Sequence, residues 1–357
     1  MFQTDPILHL QQALGNQIQC FAHQFMIPIT NMGNPQYLIP IIIVVIFGVD
    51  FKKGFLLFQL FLWTNLVTET FKALVGFPRP DFVDKNVINL ETACPKNTSF
   101  SGNGNKEIFS LPDEKILKAF RQGSCDFGFP SGHVSLTTAL WGGIATIFNN
   151  RIIRILTPFV IVLMASSRVY LGRHFIGDVL GGAVVGLISL FVFAHFLKSP
   201  LKNDFFKKES FELALRRRNL FFYFFFFIFP IMLIVLPLVS FHIALVSSNT
   251  AGYFFGMNIA YLLIIRKGIP YDTGSAEQKA KRAFIALLLF TVSKNILEFL
   301  FSAAGKINCP EIKCLEINCH GFILTDFLKT FIPVFTIWVS VVICTKLNLY
   351  RKNKGRL

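Results

Sequence analysis

The sequence predicts an all-α integral membrane protein, and three observations support that prediction. Of its 357 residues, 53% are hydrophobic and only 15% are charged, whereas about a quarter of the residues in a typical soluble domain carry a charge. The chain contains 43 Phe residues, more than an ordinary globular core needs. Apolar stretches long enough to cross a membrane as a helix, about 20 residues each, recur along the whole chain.

Nine apolar stretches are candidates for transmembrane helices, and the first and seventh are short. They cover residues 35–50, 54–76, 132–149, 152–171, 176–197, 219–244, 251–265, 283–303 and 324–345. The N-terminus lacks a basic region followed by an apolar run, so the first transmembrane helix is expected to serve as the insertion signal.

The Lys and Arg residues predict the orientation of the chain, because loops rich in them usually face the cytoplasm. Groups of Lys and Arg residues follow the first, third, fifth, seventh and ninth spans, which places the N-terminus outside. The net charge of +15 follows from these loops. Since the basic residues form no single patch interleaved with aromatic residues, we expect no nucleic-acid partner.

Four segments follow from this topology. Residues 1–197 contain the first five predicted spans, and residues 198–218 are predicted to form a basic cytoplasmic loop. Residues 219–346 are predicted to form a C-terminal transmembrane region of about four helices, and residues 347–357 a basic cytoplasmic tail.

Six cysteines fall in segments that the predicted orientation places outside, where oxidising conditions permit disulfide bonds. They are Cys20, Cys94, Cys125, Cys309, Cys314 and Cys319. Their pairing does not follow from the sequence, and unpaired thiols are the alternative. Cys344 lies inside the last span.

The first of three motifs that suit phosphate chemistry contains Lys72 and Arg79. These residues are two helical turns apart, so both can face the same side. Ionisable groups at membrane depth usually line a cavity, and a phosphate group suits a forked Arg donor together with a Lys charge. The alternative for Lys72 is that it extends to the membrane interface or pairs with Glu69, three residues earlier.

The second motif is Pro130-Ser131-Gly132-His133, at the start of the third predicted span. Pro and Gly favour a tight entry into a helix whose backbone N–H groups attract an anion. Ser131 adds a hydroxyl donor, and His133 is placed to give a proton to a leaving oxygen. An ordinary helix N-cap, with Ser131 as the capping residue, is the alternative interpretation.

The third motif contains Arg168, His174 and Asp178. The histidine and the aspartate are four residues apart, on one face of a helix. A carboxylate that accepts from one imidazole nitrogen raises the basicity of the other, so His174 is a candidate nucleophile for attack on phosphorus. Arg168 precedes it by six residues and can return to the phosphate, whereas Arg173 has no predicted role beyond a surface or headgroup contact.

We expect neither a metal nor another cofactor. A hydrolytic metal site needs three or more converging His or carboxylate ligands. The three motifs supply two histidines and one aspartate, among Arg and Lys residues that repel a cation.

Together the three motifs resemble those of the type 2 phosphatidic acid phosphatase (PAP2) superfamily, with Lys-x6-Arg-Pro at residues 72–80, Pro-Ser-Gly-His at 130–133 and Ser-Arg-x5-His-x3-Asp at 167–178. The resemblance implies a PAP2-type catalytic core of six helices at residues 1–197 and a phosphohistidine intermediate. The helix missing from the five spans of that region would be residues 6–25, which are rich in Leu, Gln and Phe, as an amphipathic helix in the membrane interface. His174 would be the nucleophile, Asp178 would orient it, and His133 would protonate the leaving group and later activate water. The phosphate-binding residues would be Lys72, Arg79, Ser131, Gly132 and Arg168. The four spans beyond the motifs look similar to those of the long members, the sphingosine-phosphate phosphatases and glucose-6-phosphatases.

The predicted function is that of a metal-independent membrane phosphatase with its active site on the extracytoplasmic face. The substrate is expected to be a lipid phosphomonoester or diphosphate, such as phosphatidic acid, phosphatidylglycerophosphate, a polyprenyl diphosphate or a sphingoid phosphate. The same residues fit a sugar-phosphate phosphatase or a lipid phosphotransferase, because they describe the phosphate and not its carrier. A lipid transporter or scramblase is the non-enzymatic alternative. The Phe-, Ile- and Lys-rich composition favours a bacterial inner membrane over the endoplasmic reticulum, and the oligomeric state stays open.

Three features outside the motifs complete the prediction. Lys294 and Glu298 are one turn apart within the eighth span, where an ionisable pair has either a functional or a structural role. The long polar segment 81–129 is either a lid over the site or a linker. Four glycines of the fifth span, at positions 177, 181, 182 and 186, indicate close helix packing.

Overall fold

A computed structural model describes residues 2–13, 15–84, 86–91, 113–123, 127–199, 241–270, 274–303 and 320–350, with residues 206, 224, 228, 229, 231 and 232. Every regular element in these ranges is a helix, which confirms the all-α prediction. The helices are α1 (Asp5–Ala13), α2 (Gly15–Asn31), α3 (Pro35–Val44) with a π-helical turn at Val45–Val49, α4 (Phe51–Val75), α5 (Pro80–Val83), α6 (Glu114–Gly123), α7 (Gly132–Phe148), α8 (Arg151–Tyr170), α9 (Ile176–Lys198), α10 (Phe241–Lys267), α11 (Ala276–Ala303) and α12 (His320–Lys346).

By length and apolar composition, four helical segments can cross a membrane: Arg151–Tyr170, Ile176–Lys198, Ala276–Phe301 and Leu324–Lys346. A fifth crossing would result if the pair His23–Asn31 and Pro35–Val49, bent by 58°, acts as one span. The membrane class is therefore confirmed, whereas the number of nine spans stays a prediction.

Eight of the nine predicted spans coincide with helices, although several bounds differ. The seventh, predicted over 251–265, lies within the much longer helix α10, and the eighth begins at Ala276 rather than 283. Helix α11 begins in charged sequence and α10 includes the polar residues 247–250, because helical hydrogen bonding continues where hydropathy already falls. The predicted span 219–244, the loop 198–218 and the tail 347–357 lie mostly outside the described residues.

The N-terminal region is helical, as predicted, but contains two helices. Gly15 begins α2, which continues to Asn31, past the predicted end at residue 25. Whether α1 and α2 lie in the membrane interface stays a prediction. The side chain of Cys20 and those of the other five outer cysteines lie outside the described part of the chain, whereas Cys344 is a buried free thiol in α12.

The chain divides into two compact units. Among the described residues, the first unit contains 2–38 and 63–194, and the second contains 39–62 and those from 195 onward. This division differs from the predicted boundary at residue 197, because it assigns residues 39–62 to the second unit.

The first unit is built around α7, α8 and α9. Helix α8 packs on α7, α1 and α2. Helix α9 approaches α7 closely through Gly186, where an added Cβ atom would lie 2.6 Å from Thr138 Cβ. At this position, the absence of a side chain permits the close helix packing that the glycines of α9 predict.

The second unit consists of α10, α11 and α12 with the residues around the π-helical turn. Helix α12 packs on both α10 and α11, and α11 also packs on the π-helical turn. Its interior is largely apolar and aromatic; the rings of Phe55 and Tyr261, for example, stack at 4.1 Å.

Candidate active site

The three motifs lie at four helix ends that meet in the first unit. Helix α4 ends at Val75, α7 begins at Gly132, α8 ends at Tyr170 and α9 begins at Ile176. The backbone N–H of Ser131 donates to the backbone oxygen of Asp178 at 2.9 Å, which joins the second motif to the third. A Cβ atom added to Gly132 would lie 3.2 Å from Lys72 Nζ, so the first motif adjoins the second.

His174 and Asp178 form the predicted pair, although His174 lies two residues before α9 and not on a face of that helix. His174 Nδ1 lies 3.4 Å from Asp178 Oδ2, and the same oxygen accepts a hydrogen bond of 2.9 Å from the backbone N–H of Phe175. Both side chains are almost completely buried. The pair favours the tautomer with hydrogen on Nδ1, which leaves a lone pair on Nε2.

Arg79 lies on the Nε2 side of this imidazole. Its Nη1 donates to the backbone oxygen of Arg173 at 3.1 Å and lies 3.4 Å from His174 Nε2. The guanidinium therefore faces the same space as the lone pair of His174, where a bound phosphoryl group would have both a cation and a nucleophile beside it.

The surroundings of His174 keep its imidazole neutral. Burial lowers the pKa of His174 well below the ordinary value of 6.5, and the positive charges of Arg79 and Arg168 lower it further. A neutral imidazole is the nucleophilic form.

Polar atoms of the second motif lack partners among the described residues. Ser131 is the N-cap residue of α7, but its side chain makes no capping hydrogen bond. Its buried Oγ is unpaired, as is His133 Nε2. Buried polar atoms without partners are rare in native proteins, so this finding favours the anion-binding interpretation of the motif over the ordinary cap.

Lys72 pairs with Glu69 at 2.7 Å, as its alternative interpretation predicts. Lys72 is nevertheless adjacent to Gly132. The structure therefore places it at the site and in an ion pair at once.

Arg168 is almost completely buried and contacts two residues that the sequence did not single out. Its Nη1 donates to Thr30 Oγ1 and to Glu91 Oε1, the latter at 2.8 Å. Arg173, which had no specific predicted role, lies with Nε 2.8 Å from Glu91 Oε2 and with Nη1 3.5 Å from Asp81 Oδ2.

The structure therefore places all eight predicted site residues around one location: Lys72, Arg79, Ser131, Gly132, His133, Arg168, His174 and Asp178. It adds Thr30, Glu91 and Arg173. No sequence pattern pointed to Thr30 or Glu91, since both lie far from Arg168 along the chain, and Arg173 was expected to make only a surface or headgroup contact. Within the described ranges, no three His, Cys, Asp or Glu side chains converge as ligands of a metal ion would.

Comparisons with known proteins agree with the motifs. Residues 53–202, which include all eight predicted site residues, match the PAP2 superfamily. Phosphatidylglycerophosphatase B of Bacillus subtilis is 26% identical over 191 residues, or 50% of this chain and 76% of the relative. Lipid phosphate phosphatase 2 of Arabidopsis thaliana is 28% identical over 155 residues, or 40% of this chain and 49% of the relative. No solved structure matches the chain.

Proposed function

The chain carries a PAP2 superfamily domain and is a phosphatase, and from that premise we propose that it hydrolyses a phosphorylated lipid through a phosphohistidine at the extracytoplasmic face of its membrane. The observation that carries the proposal is the arrangement around His174. One imidazole nitrogen faces Asp178, and the other lies 3.4 Å from Arg79.

In the first step, His174 Nε2 attacks the phosphorus atom of the bound substrate. Arg79, Arg168 and Lys72, with the hydroxyl of Ser131 and the backbone at Gly132, hold the phosphoryl oxygens and stabilise the charge that builds up on them. A phosphorus–nitrogen bond forms, the phosphorus–oxygen bond to the substrate breaks, and His133, which takes up a proton when the phosphate dianion binds, gives that proton to the leaving oxygen. Asp178 stabilises the positive charge on the phosphorylated imidazole.

In the second step, water releases the phosphate. His133, now neutral, takes a proton from the water molecule as its oxygen attacks phosphorus. The phosphorus–nitrogen bond breaks, inorganic phosphate leaves, and His174 returns to its neutral form. The net reaction consumes one water molecule for each phosphate released.

The position of the proposed nucleophile beside a helix that can span the membrane supports a lipid substrate. Helix α9, an apolar helix long enough to span a membrane, begins two residues after His174. Its first turns expose Ile176 and Leu180, so an acyl or prenyl chain could remain against apolar surface while the phosphate reaches the site. Both relatives are named for phosphatases of lipids. The extracytoplasmic face follows from the positions of the basic loops, and the composition favours a bacterial inner membrane.

The test is phosphate release by the purified full-length protein in detergent with EDTA present. The panel contains phosphatidic acid, phosphatidylglycerophosphate, undecaprenyl diphosphate, sphingosine phosphate and glucose 6-phosphate. We expect release from at least one lipid, and retention of that activity in EDTA, because the mechanism needs no metal.

His174→Ala tests the mechanism, and His195→Ala on the same helix α9 is the matched control. Release from glucose 6-phosphate alone would replace the lipid proposal with a sugar-phosphate phosphatase. No release from any substrate, or full activity in His174→Ala, would contradict the proposal.

A further inference from the structure

The Glu91 carboxylate contacts two of the cations beside the candidate phosphate site, Arg168 and Arg173. One carboxylate oxygen lies 2.8 Å from Arg168 Nη1 and the other 2.8 Å from Arg173 Nε. Burial raises the pKa of Glu91, but Arg168 and Arg173 outweigh that effect, so the pKa lies below its ordinary value. The carboxylate is therefore ionised near neutral pH, as a phosphate in the same place would be.

The backbone around Glu91 is held in place by contacts that do not involve the catalytic residues. Gln11 Nε2 donates to the backbone oxygens of Ile88 and Tyr170 at 2.9 and 3.0 Å. The backbone N–H of Leu90 donates to Leu171 O at 3.1 Å. The backbone beside Glu91 is consequently fixed next to the C-terminal end of α8, while the Glu91 side chain remains 29% exposed to solvent.

Arg168 keeps one donor that Glu91 does not use. Its Nε is buried and has no hydrogen-bond partner among the described residues, like Ser131 Oγ and His133 Nε2. The carboxylate thus neutralises charge at this location and accepts from Arg168 Nη1, but leaves Arg168 Nε without a partner. A tetrahedral phosphoryl group has more acceptor oxygens than a planar carboxylate and can satisfy more hydrogen-bond donors.

We propose that Glu91 competes with the substrate for Arg168 and Arg173. The Glu91 carboxylate pairs with both arginines in the free protein and must be displaced when a phosphoryl group binds. This inference rests on the proposed function, since it assumes that Arg168 binds the phosphate. A phosphate dianion carries twice the charge of the carboxylate, so it displaces Glu91, whereas singly charged anions compete poorly. Glu91 therefore weakens phosphate binding and speeds product release.

The experiment compares Glu91→Gln with the wild-type protein in two independent measurements. Titration calorimetry with inorganic phosphate, in detergent, gives the Kd without any need for turnover. Steady-state kinetics with the best lipid substrate give KM and kcat. Because Gln retains the shape and removes the charge, we expect the Kd for phosphate and the KM each to fall by about tenfold.

Glu277→Gln is the matched control, because Glu277 forms an exposed ion pair with Lys281 in the second unit. It should change neither constant. Glu91→Asp is a second variant in case Glu91→Gln does not fold. Its carboxylate is too short to reach both arginines, so it should lower the Kd in the same direction by a smaller factor.

The outcomes separate the two proposals. An unchanged or higher Kd and KM in both Glu91 variants would contradict the proposed competition between Glu91 and phosphate. Glu91 would then be a residue that positions Arg168. If that result accompanies a wild-type enzyme that hydrolyses lipid phosphate, only the inference about Glu91 fails. If the wild-type protein hydrolyses none of the substrates, and the Kd for phosphate nevertheless falls in Glu91→Gln, the proposed competition is supported and the proposed reaction is contradicted.

Discussion

The two units of the molecule differ in how they bury charge. In the first unit, Arg79, Arg168, His174 and Asp178 are all buried, and each has a charged or polar partner. In the described part of the second unit, Arg282 is the buried charged residue. Its guanidinium lies 4.5 Å above the ring of Tyr350, and its nitrogens have no hydrogen-bond partner in the described residues.

This difference indicates which unit carries the chemistry. Burying a charge is costly unless it is paired and hydrogen-bonded, so a cluster of buried charges is retained where it serves a function. The second unit is built mainly from apolar and aromatic contacts, such as the stacking of Phe327 on Phe331 at 5.4 Å. Changes in the first unit should therefore alter the reaction, and comparable changes in the second should alter stability alone.

The largest effect is expected for His174→Ala, which removes the proposed nucleophile. We expect kcat to fall by at least about 10⁴-fold, because the remaining residues cannot form the covalent intermediate. Phosphate release in detergent is the measurement. His195→Ala should retain wild-type activity, and an equal loss in both variants would show that the effect is not specific to the site.

Asp178→Asn tests how the nucleophile is oriented. The amide keeps the shape of the carboxylate but cannot stabilise the charged imidazole, so we expect kcat to fall by about 10³-fold with little change in KM. Comparison of kcat and KM with those of the wild-type protein is the measurement. A rise in KM at unchanged kcat would instead assign Asp178 to substrate binding.

Two glycine substitutions compare the units directly. An added Cβ atom would lie 2.5 Å from Ser131 O at Gly182 and 2.5 Å from Phe327 O at Gly252. Each Gly→Ala variant should lose about 1–3 kcal/mol of unfolding free energy from overpacking. Thermal unfolding and kcat are measured on the same samples.

Only Gly182→Ala should also lower kcat, by roughly tenfold, because it displaces Ser131. Gly252→Ala should retain the kcat of the wild-type protein at temperatures where it is folded. A similar loss of kcat in both variants would contradict the separation of chemistry and packing between the units.

The pH dependence of kcat/KM tests the environment of His174. Since burial and Arg79 hold the pKa of His174 well below 6.5, the neutral nucleophile persists as the pH falls from 7. Activity that depends on it should decline only below pH 6.5. Arg79→Gln removes one of the lowering charges and should move this decline to higher pH, and an unchanged profile would show that another group controls it.

The smallest effect is expected for Lys294 and Glu298 in α11. Their charged atoms are 3.6 Å apart, and both side chains are partly exposed. The double variant Lys294→Gln, Glu298→Gln should hydrolyse the substrate at the wild-type rate. Loss of lipid transport in vesicles with intact hydrolysis would instead support a transport function for the second unit.

Much of the fold could be predicted because its signals are local. Runs of apolar residues determine α8, α9, α11 and α12, and the membrane class follows from them. The bounds of α10 were less predictable, because a helix does not end where hydropathy falls. The interaction of His174 with Asp178 was predicted from their spacing, but the predicted helical face was not found, because His174 lies two residues before the start of α9.

What the sequence by itself determined is the helical membrane class, the three motifs and the types of residue at the site. The tertiary structure decided which residues complete that site. Thr30 and Glu91 meet Arg168 across 138 and 77 positions of the chain, and Arg173 contacts the same distant Glu91. Such contacts depend on the path of the loops and on packing between helices, and neither leaves a periodic pattern in the sequence.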